Sequence, residues 1–198
     1  VTVDATHADG SPALAWDTSE GGVLVRTPVD QTEGDGSIPI PPLQLRVYPV
    51  AFTNIRHLIV GYHYLHRAST IPLACFGVLD SKTALLVGAV VFGAPVGGRG
   101  PANKGTLELN RFWLDDRCGK NSESRVLAFC IRWIRKAMPN IHRIISYSDT
   151  SLGHLGTIYR ATGWTCLGPI RIRDWSMPGR KRENAAVNGQ KLKWELAL

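Results

Sequence analysis

The stretch Ser146-Tyr147-Ser148-Asp149 closes an apolar, alternating run with a carboxylate, and Tyr159 follows in a short helical pattern that Gly163 ends. In open sheets ligands gather at the carboxyl ends of strands, which makes Asp149 and Tyr159 candidates for a binding or proton-handling site. Each also has a plainer reading, Asp149 as a turn former and Tyr159 as a core aromatic with a wet tip. A second cluster, Gly61-Tyr62-His63-Tyr64-Leu65-His66, puts His63 and Tyr64 side by side near the end of a helical pattern. Histidine, tyrosine and carboxylate side chains are proton carriers and metal ligands. A third signal lies where Leu107–Asp116 turns through Gly119 into a helix that Asn121 or Ser122 can cap. Free N–H groups and a positive dipole end there, with Arg117, Lys120 and Arg125 close by, would cradle an anion such as a pyrophosphate. Lys120, Asn121, Ser122 and Arg125 are the candidate cofactor contacts.

The elements that must position these residues begin at Leu43. LQLRVYPV alternates as a strand, and residues 51–65 place Phe52, Ile55, Ile59 and Tyr62 at helical spacing. Residues 72–80 and 84–93 read as a hairpin, the second strand being a nearly continuous apolar run. TLELNRFWLDD reads as a bulged strand. The clearest helix buries Val126, Leu127, Cys130, Ile131, Ile134 and Met138 and stops at Pro139. Strand, short helix, strand, basic loop and last strand complete the chain. This order predicts an α+β (mixed α/β) fold with one twisted, mostly antiparallel sheet and helices on both faces.

Charge separates two regions. Residues 1–42 sum to −6 and the remainder to +13, within a total of +7 over 198 residues. Residues 1–42 are rich in Gly, Pro, Thr and Asp and read as an arm, with the folded domain expected over 43–198 and a basic segment at 171–193. A body that basic attracts polyanions, nucleic acid first and a phosphorylated cofactor second. No apolar run reaches the ~18 residues of a membrane helix, and VTVDATHADG lacks a secretory signal pattern. The expectation is a soluble protein of the cytoplasm. Cys75, Cys118, Cys130 and Cys166 are scattered without a CxxC pair, which argues against a zinc cage or a disulfide framework.

Two resemblances follow from these motifs. NSESRVLAFCIRWIRK followed by YSDTSLGHLGTIYRATGW resembles the core of the GNAT acyltransferases, in which a strand-loop-helix unit holds the pyrophosphate of acyl-coenzyme A. Tyr159-Arg160-Ala161-Thr162-Gly163-Trp164 matches that family's later helix. Its glycine-rich signature is replaced by Gly119-Lys120-Asn121-Ser122-Glu123-Ser124. More specifically YHYLH, VVFGAP, LELNRFWLDD, NSESRVL and YSDTSLGHLGTIYRATGW together resemble the phage Mom family, over residues 43–175.

That resemblance implies a GNAT-like enzyme that converts adenine in double-stranded DNA to N6-carbamoylmethyladenine, acting in the cytoplasm of a phage-infected host against its restriction enzymes. It implies catalytic roles for His63, Tyr64, Arg111, Ser124, Asp149 and Tyr159. It also implies an iron ion, with Tyr64 and Asp149, joined by His63, as its ligands. Asp149 would draw the proton from the adenine amine, Tyr159 would protonate a leaving group, and Arg111 would orient Asp149 or stabilise negative charge. No motif identifies the small-molecule donor, and acetyl-coenzyme A stays open. A homodimer is also open. DNA-binding candidates are Arg99 and Lys104 in the Gly/Pro-rich loop, and Arg171, Arg173, Arg180, Lys181 and Arg182, with Trp175 as a stacking or wedging residue. The alternatives are an acyl-coenzyme A-dependent N-acyltransferase and a DNA-binding protein without catalysis. The enzymatic reading requires Asp149 and Tyr159 to come together at one cleft, neither far apart nor on opposite sides of the sheet.

Overall fold

A computed structural model describes residues 39–69, 71–95, 100–170 and 191–198. Arm residues 1–38, Arg99, Arg171, Arg173, Trp175, Arg180, Lys181 and Arg182 lie outside the described residues. Lys104 is described and exposed.

The alternating and apolar runs form the strands β1 (Leu45–Pro49), β2 (Pro72–Asp80), β3 (Leu85–Gly93), β4 (Thr106–Leu114), β5 (Arg143–Asp149), β6 (Thr165–Ile170) and β7 (Lys191–Ala197). Helices α1 (Phe52–Tyr62), α2 (Ser122–Ala137) and α3 (Thr157–Ala161) connect them. The strands make one sheet in the order β1-β2-β3-β4-β5-β7-β6. Every pair is antiparallel except β4 with β5, which the α2 crossover requires to be parallel. The predicted α+β fold, mostly antiparallel with helices on both faces, is what the chain forms.

Strand alternation explains the two faces. Phe76, Val78, Val90 and Phe92 join Val126, Leu127, Cys130, Ile131 and Ile134 of α2 in the larger core. Cys75, Ala89 and Val91 point the other way and pack against Ile55, Leu58 and Ile59 of α1. The chain enters the body before Leu43. Ile40 is buried in the larger core and bridges to Cys118. The capping expectation for α2 needs correction. Asn121 occupies the N-cap position in the left-handed region, φ +70°, and its side chain caps nothing. Its backbone carbonyl instead accepts from the Ser124 hydroxyl at 3.0 Å.

Two irregularities build the site. The first is the short parallel pairing of β4 with β5, which covers Thr106, Leu107 and Glu108 opposite Arg143, Ile144 and Ile145. Beyond it the Ser146 hydroxyl, at 3.2 Å from the Leu109 carbonyl, spans the place where the backbone ladder has stopped. From there the two strands separate. The second is a bulge in β4. Val91 pairs with Arg111 but Phe92 with Leu109, so Asn110 is the extra residue. Strict alternation from Leu107 and Leu109 would drive Arg111 into the α2 core; the bulge turns it to the α1 face.

Gly156 marks a third constraint. It precedes α3 with φ +75°, and a Cβ there would overlap the indole of Trp194, which is buried at 1% exposure. Left-handed backbone and overpacking each penalise a side chain. A Gly156→Ala protein is expected to lose about 2–4 kcal/mol in a denaturant melt.

Candidate active site

His63 is the C-cap of α1, and beyond it Tyr64 meets His154 while the Arg67 carbonyl accepts from Arg111 of β4. His63 is buried, and its Nδ1 accepts from the Leu65 N–H at 3.2 Å. Nε2 therefore carries the proton of the neutral ring. Burial pushes the His63 pKa down to about 4, and the charges of Arg111, His154 and His66 push the same way. At neutral pH His63 is an uncharged donor through Nε2. The sign of its linkage follows. A histidine with a depressed folded pKa favours folding above the unfolded value of 6.5 and loses that contribution as pH falls from 6.5 toward 4. A shift of that size corresponds to roughly 3 kcal/mol. His63→Asn keeps an acceptor for the Leu65 N–H, so its stability is expected to fall less steeply over this window. Urea melts at a series of pH values test it, and parallel slopes for the two proteins would contradict it.

The His63 ring stacks on Tyr64 at 4.4 Å between centroids. Tyr64 is 46% exposed, and the edge of His154 meets it at 5.5 Å. Burial of its hydroxyl raises the Tyr64 pKa, the Asp149 charge raises it further, and Arg111 opposes both. Tyr64 thus lies within the electrostatic reach of a residue on each separated strand. Tyr159 completes the group. Its hydroxyl is 2.9 Å from the Ser146 hydroxyl, and its ring is held by Trp164 and Trp194 at 5.1 and 5.2 Å. Burial pushes the Tyr159 pKa up to about 12, against the Ser146 hydrogen bond and with the help of Tyr64. It stays protonated at neutral pH and suits a proton donor.

Asp149 is buried and ends β5. Its Oδ1 accepts from the Ser151 N–H at 3.1 Å and from the Ser151 hydroxyl, so it caps the 3-10 turn Thr150–Leu152. The turn-forming reading of Asp149 is therefore true of the structure and leaves Oδ2 for chemistry. Asp149 and Ser146 lie three apart on β5, so Asp149 points to the α1 face while Tyr159 is anchored through Ser146 on the α2 face. The two therefore point to opposite faces of the sheet, contrary to the expectation, and Tyr64 lies within electrostatic reach of both.

Arg111 does not orient Asp149, contrary to one expectation. Its Nε donates to the Arg67 carbonyl at 3.0 Å and its Nη1 to the Asn110 carbonyl at 2.6 Å. Its charge acts on Tyr64 and His63 instead. Arg117 is likewise taken out of the anion cradle by a 2.7 Å ion pair with Asp115. At the start of α2, Lys120, Asn121 and Arg125 are exposed, while Ser122 is fully buried with a hydroxyl that finds no partner among the described residues. Ser124 is spent on the Asn121 carbonyl.

The residues do not fit the implied iron. Among the described residues no three His, Cys, Asp or Glu side chains converge. Asp149 Oδ1 is engaged by Ser151, and the raised pKa of Tyr64 favours the phenol over the phenolate that binds a metal. Sequence reasoning missed Ser146 and His154. A serine facing inward from an apolar strand, and a histidine set between glycines just after Asp149, were the available signals.

The structure aligns with ribosomal-protein-alanine N-acetyltransferase from Brucella melitensis with a TM-score of 0.55 at 12% identity, covering 77% of this chain and 99% of that one. It aligns with spermidine N-acetyltransferase from Vibrio cholerae, solved with CoA and spermine, at 0.54 and 12% identity over 78% and 96%. A GNAT-family acetyltransferase from Bacillus anthracis gives 0.54 and 14% identity over 78% and 95%. These likenesses establish the GNAT fold. In sequence, the methylcarbamoylase mom of Escherichia phage Mu is 28% identical over 155 residues, 75% of this chain and 64% of that protein's length. The Mom protein family matches residues 44–194. That span contains His63, Tyr64, Arg111, Asp149 and Tyr159, and on this match the chain belongs to the Mom protein family.

Proposed function

We propose that this protein is a DNA-modifying transferase that places a carbamoylmethyl group on the N6 amine of adenine and so shields phage DNA from restriction. The observation that carries the reading is that Tyr64, stacked on buried His63 and meeting His154, lies within electrostatic reach of Arg111 on β4, Asp149 on β5 and Tyr159. The name of the phage Mu relative, methylcarbamoylase, supports a transferred group that joins one carbon to a carbamoyl unit. The net charge of +7 supplies attraction to DNA, because phosphate contacts provide most non-specific affinity.

The adenine amine is a weak nucleophile, since its lone pair is delocalised into the ring. In the proposed step that lone pair bonds to the methylene carbon of a carbamoylmethyl donor. The donor's bond to its leaving group breaks, and the electron pair leaves with that group. N6 gives one proton to Asp149 Oδ2, and Tyr159 gives its proton to the leaving group. Ser146 sits at 2.9 Å to share the hydrogen bond that Tyr159 gives up and retakes. Neutral His63 and cationic Arg111 stabilise charge beside Tyr64.

Plasmid recovered from cells expressing the protein tests this reading. It is expected to resist endonucleases whose sites contain adenine, and full digestion by all of them would contradict it. A second reading, acyl-coenzyme A-dependent N-acylation, is favoured by one observation. The buried Ser122 hydroxyl, without a partner among the described residues, lies at the start of α2 beside Lys120 and Arg125, a setting suited to a pyrophosphate. Calorimetric titration with acetyl-coenzyme A separates the two, because tight binding would favour the second.

A further inference from the structure

Immediately after Asp149 the chain exposes two leucines that no packing requirement explains. Leu152 is 51% exposed and Leu155 is 60% exposed. Their backbone is nonetheless firmly held. The Asp149 carboxylate caps the turn that carries Leu152, and Gly153, at φ +74°, returns its N–H to the Thr150 carbonyl at 3.1 Å. The His154 N–H reaches the Asp149 carbonyl at 3.2 Å, and Arg160 Nη1 holds the Leu155 carbonyl at 3.0 Å. Between the two leucines, His154 lies against the exposed ring of Tyr64. Next to Tyr64, Leu65 is 38% exposed. The result is a stiff apolar ridge at the lip of the opening, with exposed Arg67 and Arg160 on the segments beside it.

An exposed apolar side chain on a preorganised turn gains free energy only when a partner covers it. A protein of net charge +7, with cations flanking the ridge, favours a polyanion as that partner. The most extensive apolar surface a polyanionic duplex offers is the face of its stacked bases, and leucine is among the side chains that enter base steps. An N6 amine inside a duplex is paired and stacked, so chemistry on it requires extrusion of the base.

We infer that Leu152 and Leu155 form a wedge that enters a base step of double-stranded DNA and turns the target adenine toward Asp149. This rests on the DNA reading above and adds the device that opens the duplex. The leucines are positioning residues, acting through the base they displace.

The test uses one circular DNA in duplex and in single-stranded form, with clarified lysate of the expression host supplying the donor. Modified deoxyadenosine is counted in nucleoside digests after exposure to the wild-type, L152A/L155A and L152M/L155M proteins. The ratio of duplex to single-strand modification is expected to fall about tenfold or more in L152A/L155A. It should return in L152M/L155M, since methionine also enters base steps. A ratio within about twofold of wild type in L152A/L155A would overturn the wedge, and so would an equal loss on both DNA forms. Absence of modified deoxyadenosine from both forms with the wild-type protein would instead refute the DNA reading, and the wedge with it.

Discussion

An Asp149→Asn protein is expected to fold normally and to leave adenine in DNA essentially unmodified. Both halves of this expectation come from the two oxygens of one side chain. Oδ1 accepts from the Ser151 N–H and hydroxyl and caps the turn after β5. An asparagine carbonyl oxygen accepts the same hydrogen bonds, so the turn and its neighbours persist. The remaining position becomes an amide NH2, which donates rather than accepts and cannot take the amine proton. Loss of a positioned general base typically lowers a rate by about 10²–10⁴-fold. Quantified nucleosides from plasmid of induced cells give the activity, and a denaturant melt gives the stability. Modification at wild-type level would remove Asp149 from the chemistry. The comparison variant Asp149→Ala removes the cap as well, and is expected to lower the melting midpoint that the asparagine preserves.

The second large effect is expected for Tyr159→Phe. The phenylalanine ring keeps its place between Trp164 and Trp194, and the lost hydrogen bond to Ser146 costs about 1 kcal/mol. The modification rate is expected to fall about 10²-fold, because the leaving group then departs without a proton. Tyr159 is held protonated by burial, with a pKa pushed up to about 12, so this is loss of a donor and not of a base. Ser146→Ala supplies the contrast. It leaves the Tyr159 hydroxyl in place and removes only its resting partner, so its loss of rate should be smaller. Equal losses in the two variants would assign the effect to the Tyr159–Ser146 hydrogen bond and remove Tyr159 as the proton donor.

Much of this arrangement was legible in the sequence because it depends on local pattern. The limits of β2, the apolar face of α2 and the end of β5 at Asp149 follow from alternation, helical spacing and a polar stop. What the sequence left hidden depends on long-range pairing. The insertion of β7 between β5 and β6 is set by register across the sheet and leaves no mark in either segment. The bulge at Asn110 is visible as broken alternation, but not the Arg67 carbonyl to which it delivers Arg111. His63 lies in a polar segment that reads as exposed, and only the tertiary packing of that segment beyond α1 buries it. The sequence singles out Asp149 and Tyr159 but expects them in one cleft on one side of the sheet, whereas Asp149 points to the α1 face and Tyr159 is anchored through Ser146 on the α2 face. Their opposite faces follow from the odd spacing of Ser146 and Asp149 along β5, and Tyr159 reaches Ser146 only through the tertiary placement of α3.

The central claim is that the open ends of β4 and β5 hold an adenine for transfer of a carbamoylmethyl group. Mass spectrometry of nucleosides from plasmid co-expressed with the wild-type protein tests it most directly. The account predicts a deoxyadenosine heavier by a carbamoylmethyl group in place of one N6 hydrogen, absent when Asp149 is asparagine. An acetyl increment, or deoxyadenosine of unaltered mass throughout, would contradict it.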